Sequence, residues 1–345
     1  MAAHHGRRAL RGTRRGWGLF VLGVLLVAGG VLALGQPARV APAVAAAVSS
    51  DGLAAKLLAR DGAPAPPAQT APVAEAAIPQ FGAPVASAAR SAARVQPSEN
   101  LTVNEFFVHV PPSVQGRLHV LVALHGMGGA GQTFCETLLT RTDGAQWLVV
   151  APTYQYGDWR DPNTVTREES ARFIPRLHQF LLDLPTRTGL DLEPRAVLLG
   201  YSRGAQLAQR FAMVYPEQTR AVALISAGTY TLPLSSLELN GRTVRLPYPF
   251  GVADLQERFG RAFDVTALRN IPFWVGVGAN DNNPADLPRQ WDPYLGTTRV
   301  ERAQAFARRL AELDVPVQLN VFEGMDHAVS DEVRFKALDF LASVQ

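Results

Sequence analysis

The sequence predicts a single doubly wound α/β domain with a mostly parallel sheet, preceded by a long segment of different character. From Leu101 onward, short apolar runs rich in β-branched residues alternate with longer stretches of helical periodicity. The apolar runs are continuous rather than alternating, the pattern of strands covered on both faces. Only the stretch from Tyr230 to Asn270, rich in Pro, Leu and aromatic residues, breaks that rhythm.

Residues 1–36 read as an export segment. Arg7, Arg8, Arg11, Arg14 and Arg15 precede an uncharged apolar run from Trp17 to Gly35. A basic flank ahead of such a run marks a signal peptide or an N-terminal transmembrane anchor. At about 1.5 Å per helical residue, the run approaches the ~30 Å hydrocarbon core of a bilayer. That length exceeds the usual apolar core of a cleaved signal and favours the anchor, while Ala41-Pro42-Ala43 leaves cleavage open. Either way the rest of the chain is expected outside the cytoplasm, membrane-anchored or secreted. Residues 37–100 are mostly Ala and Pro, a composition that buries too little apolar surface to fold and reads as a disordered linker.

The five leading arginines also distort the charge. The chain has 33 basic and 30 acidic residues, so without those five the balance turns slightly acidic. That excludes a nucleic-acid partner, which would call for a basic face on the folded part. Cys135 is the only cysteine and allows no intramolecular disulfide. An exported domain must then be held by its core, and residues 101–345 are long enough to build one.

Within 101–345 the predicted strands are Phe106–Val110, His119–Leu124, Trp147–Ala151, Ala196–Leu199, Ala221–Ile225, Phe273–Val277 and Val317–Phe322. Leu207, Phe211 and Val214 form one helical stripe. Phe306, Leu310 and Leu313 form a second, and Val333, Ala337, Phe340 and Leu341 a third. The insertion at about 230–270 has two readings: a cap over a functional site, or a surface excursion with its own small cluster.

Gly200-Tyr201-Ser202-Arg203-Gly204 lies directly after one strand and before one helix. A serine there must occupy a sharp, strained turn, and flanking glycines let the neighbouring backbone approach. Such a turn lifts the hydroxyl to the carboxyl edge of the sheet. A hydroxyl nucleophile needs a base, and His327 sits in the loop after the last strand, at the same edge. The base needs an orienting carboxylate. Asp281, after Phe273–Val277, is nearest a strand end, with Asp286, Asp292 and Asp326 as competitors. His125-Gly126-Met127-Gly128-Gly129 follows another strand and supplies an oxyanion donor at Met127, or at Gly126 in its place, to join the N–H of Arg203. His125, Gly126, Tyr201 and Trp159 are the expected substrate-contacting residues. Arg160 is expected to pair with Asp158 or Asp161 rather than with substrate. No metal site is expected, because the histidines are scattered and Cys135 stands alone.

On these motifs, residues 101–345 resemble the α/β-hydrolase family, in particular its bacterial exported serine esterases similar to dienelactone hydrolases and polyhydroxybutyrate depolymerases. The order Ser202, Asp281, His327 matches that family's order. The resemblance implies hydrolysis of a small-molecule or polymeric ester through an acyl-serine, without cofactor. Dienelactone hydrolases proper carry a cysteine where this chain has Ser202, so their substrate is not implied. A peptidase, amidase or lipase on the same fold is the alternative enzyme, and a non-catalytic surface-displayed binding domain the alternative of another class.

Overall fold

A computed structural model describes residues 100–344. The export segment of residues 1–36 and all but the last residue of the 37–100 linker lie outside the described residues. Among the described residues no helix is long and apolar enough to cross a membrane.

Ten strands form. In chain order they are β1 (Leu101–Val103), β2 (Phe106–His109), β3 (His119–Leu124), β4 (Trp147–Pro152), β5 (Ala196–Tyr201), β6 (Thr219–Ile225), β7 (Ser236–Leu239), β8 (Arg242–Arg245), β9 (Phe273–Gly278) and β10 (Val317–Phe322). Eight of them make one sheet in the order β1-β2-β4-β3-β5-β6-β9-β10. β1 and β2 pair antiparallel at one edge, and every pairing from β4 to β10 is parallel. All seven predicted strands are present.

The continuous apolar runs are explained by two cores, one on each face of the sheet. Val120, Val122 and Leu124 of β3 point into one, while Leu121 and Ala123 point into the other. The helices Ile174–Thr188, Arg203–Val214 and Arg299–Glu312 cover the first face. Gly131–Glu136 and Asp331–Ser343 cover the second. Each predicted helical stripe falls on a core-facing side.

The short strands β1, β7 and β8 were not foreseen, because three or four residues carry little periodicity. β7 and β8 form a hairpin inside the 230–270 insertion, turning at Asn240 and Gly241, both with positive φ. Asn-Gly is the strongest local hairpin signal, so this pair was legible. The insertion packs its Tyr248, Leu246 and Leu255 into the first core. It thereby covers the outer side of Arg203–Val214, and every residue of that helix is buried. The amphipathic pattern alone suggests a solvent-facing side there, which the structure does not have.

Candidate active site

Ser202 stands between β5 and the helix Arg203–Val214 with φ 52° and ψ −112°. A non-glycine residue at such a φ carries strain of about 1–3 kcal/mol and persists only where its surroundings enforce it. Here they do. A Cβ on Gly204 would lie 2.0 Å from the Leu124 carbonyl oxygen, and one on Gly200 would lie 2.5 Å from the backbone of Ala205. The Ser202 N–H donates to the Ile225 carbonyl at 2.8 Å, tying the turn to β6.

The three residues expected to act together converge at the carboxyl edge of the sheet. His327 Nε2 lies 3.0 Å from Ser202 Oγ. His327 Nδ1 lies 2.8 Å from Asp281 Oδ2. A carboxylate can only accept, so Nδ1 carries the proton and Nε2 is free to accept from the serine hydroxyl. Asp281 is buried, and its other oxygen accepts from Arg299 Nη1 at 2.6 Å. The loops carrying Asp281 and His327 are stitched together: Ala279 N–H donates to Phe322 O and Asn280 N–H to Met325 O. A Cβ on Gly278 would lie 2.1 Å from the Met325 carbonyl, so glycine permits that approach.

At the predicted oxyanion loop, Gly129 N–H donates to Gly126 O at 3.1 Å, closing a turn with Gly128 at φ +71°. The Met127 N–H makes no backbone hydrogen bond there. Arg203 opens its helix, where N–H groups have no intrahelical acceptor. The two N–H groups proposed from sequence are thus both unspent.

Of the four expected substrate-contacting residues, only Trp159 lines the cavity beside Ser202, a space of about 270 Å³. His125 is buried and spent on backbone: its Nδ1–H donates to Gly126 O at 2.6 Å, and its Nε2 accepts from Tyr154 N–H at 3.0 Å. Burial lowers its pKa, opposed by the Gly126 hydrogen bond. Gly126 sits under the Tyr201 ring and does not line the cavity. Tyr201 stacks on His327 with centroids 5.4 Å apart and donates its hydroxyl to the His327 carbonyl, supporting the imidazole instead of meeting substrate. Arg160 lies over Trp159 at 3.9 Å and donates to Ala285 O. Its own contact with Asp158 runs through the backbone N–H, in place of the expected ion pair.

Sequence reasoning missed Gln206, Gly228 and Arg299, and it named Asp286 only as a competing carboxylate; all four line the cavity with Arg203. Gln206 was legible in principle, one helical turn beyond Ser202 on the same helix face. Arg299 was not, since nothing local aims it at Asp281.

Arg203 reaches inward to a buried cluster. Its Nη1 donates to Glu169, which also accepts from Arg210 Nη1 at 2.9 Å and from the Tyr248 hydroxyl of the insertion. Two guanidiniums therefore share one carboxylate. Burial is the first cause holding the Tyr248 pKa well above its ordinary value, so the phenol contributes no charge.

No protein-family model and no curated protein matches the chain. Among solved structures it is similar to poly(aspartic acid) hydrolase-1 from Sphingomonas sp. KT-1, at 18% identity with a TM-score of 0.51, covering 69% of this chain and 92% of that one. It is also similar to LpqC, a poly(3-hydroxybutyrate) depolymerase from Bordetella parapertussis, at 20% identity and a TM-score of 0.50, covering 69% and 83%. The protein has the α/β-hydrolase fold, with serine, histidine and aspartate meeting at the carboxyl edge of its sheet.

Proposed function

We propose that this protein is a serine hydrolase acting on carboxylic esters through an acyl-enzyme. The observation that carries the reading is the unbroken hydrogen-bond chain from Asp281 through His327 to Ser202, ending on a strained turn. In the proposed reaction Ser202 Oγ attacks the ester carbonyl while His327 Nε2 takes its proton. The N–H groups of Met127 and Arg203 stabilise the oxyanion. His327 then returns the proton to the leaving alcohol, and water admitted to the same histidine hydrolyses the acyl-serine. Asp281 holds the imidazole tautomer and stabilises the transient imidazolium.

The cavity beside Ser202 suits a short acyl group better than a long alkyl chain. No residue of 230–270 lines it, so the feature that would have favoured a lipase, an apolar lid, finds no support. The same proposal puts the protein outside the cytoplasm, carried by the arginine-flanked run from Trp17 to Gly35.

The test is turnover of p-nitrophenyl esters of increasing chain length, with fluorophosphonate labelling of the serine. Short esters should be cleaved and Ser202 labelled. Replacing Ser202→Ala should remove the label and lower kcat by about 10⁴-fold or more. Undiminished turnover by that variant would sink the assignment.

A further inference from the structure

The cavity wall offers donors that the protein itself leaves unused. Gln206 Oε1 accepts from the Thr229 hydroxyl at 2.9 Å and from Arg203 Nη1 at 3.4 Å. A guanidinium can only donate, so the amide cannot be flipped, and Nε2 is the end left for the cavity. That nitrogen bonds to no described residue. Arg299 lines the same wall with its side chain nine-tenths buried, and its Nε has no partner. The same holds for Nε and Nη2 of Arg203.

Two of these donors meet at Gly228. The position where a Cβ would stand on Gly228 is 3.2 Å from Gln206 Nε2 and 4.0 Å from Arg299 Nε. Glycine thus leaves a recess beside the serine, with an amide donor on one side and a guanidinium donor on the other. Leu287 Cδ2, 3.5 Å from the same point, closes it. Arg299 Nε is costly to leave alone, because a buried donor without an acceptor loses its hydration and gains nothing in return.

Charge decides what fills the recess. Behind Gln206, Arg203 and Arg210 share the single carboxylate of Glu169, which leaves one buried positive charge in excess. Arg210 Nη2 donates to Thr229, whose hydroxyl donates to Gln206, so that excess polarises the amide toward the cavity. Asp286 is the one carboxylate lining the cavity, and it is exposed and held by Asn283 Nδ2 at 2.9 Å.

We propose that Gln206, Gly228 and Arg299 form a subsite for a carboxylate carried by the substrate, so that the preferred ester is an acidic one, such as a half-ester of a short dicarboxylic acid. This rests on the serine-hydrolase reading above. The geometry favours an anion because a charge-assisted bond to a guanidinium is about twice as strong as a neutral one.

The experiment compares mono-p-nitrophenyl succinate with p-nitrophenyl butyrate on the full chain, in wild type and in Gln206→Leu, alongside fluorophosphonate labelling of Ser202. Wild type should favour the succinate by about tenfold or more in kcat/KM, chiefly through a lower KM. In Gln206→Leu that ratio should fall about tenfold, whatever happens to the absolute rates. Gly228→Ala, which fills the recess, should lower the ratio too. Equal use of the two esters by a protein that is labelled and active would overturn the subsite and leave the hydrolase standing. A ratio unmoved by both substitutions would do the same. Absence of both labelling and turnover would overturn the triad reading and the subsite with it.

Discussion

Two buried arginine–carboxylate clusters flank Ser202, built from the same chemistry and put to different ends. In one, Glu169 accepts from Arg203, Arg210 and Tyr248, all buried, so both carboxylate oxygens are held by buried donors. In the other, Asp281 gives one oxygen to Arg299 and the second to His327, whose side chain is partly exposed and reaches the serine. The first cluster is closed and binds the insertion to the nucleophile helix. The second is open at one end, and that end is where a proton can move. Burial and ion pairing alone therefore do not mark a site; the destination of the last acceptor does.

Disabling each carboxylate in turn separates the two clusters. Asp281→Asn should lower kcat by about 10⁴-fold while the domain stays folded, because the imidazole loses its tautomer. Glu169→Gln should act first on stability, by about 3–5 kcal/mol, because two buried guanidiniums lose their countercharge. Denaturant midpoints beside ester turnover distinguish them. The division fails if Glu169→Gln keeps its midpoint, or if Asp281→Asn keeps its rate.

A smaller effect tests the turn itself. Ser202→Gly removes nucleophile and strain together, so the inactive variant should be more stable by about 1 kcal/mol, read as a raised denaturant midpoint. An unchanged or lowered midpoint would mean that the turn stores no strain.

The smallest effect belongs to His125, a buried titratable group outside both clusters. Its burial-lowered pKa keeps it neutral in the fold, where Nε2 must accept from Tyr154 N–H. The unfolded chain, at the ordinary value of about 6.5, takes up the proton first as pH falls. Its contribution is thus intact above that pH and is lost below it, by at most about 1.4 kcal/mol per pH unit. Melting temperature against pH should show that decline, and His125→Asn should flatten it. A slope that survives the substitution would assign it to other groups.

The comparison also explains which residues the sequence could reveal. Ser202, Asp281 and His327 each follow a strand, and strand ends in a parallel sheet share one edge. Their convergence is a consequence of topology, which apolar periodicity reports. The expectation for His125 went the other way, because a histidine in a glycine loop reads as a ligand until its backbone partners are known. Tyr201 differs for a similar reason: the strand places it beside the nucleophile, but only packing against His327 turns it away from the cavity.

The amino-acid sequence by itself determined the doubly wound sheet, the strained serine turn and the order of the three converging residues. Each is written in local spacing, through strand length, glycine position and turn chemistry. Only the tertiary structure decided that Arg299 meets Asp281, that Glu169 anchors Arg203, and that the insertion buries the nucleophile helix instead of lining the cavity. Those contacts join side chains 18, 34 and 79 positions apart, most of them on long, rotatable stems. Their partners are selected by packing and by the cost of leaving a buried charge without a counterion, and no local pattern records that choice.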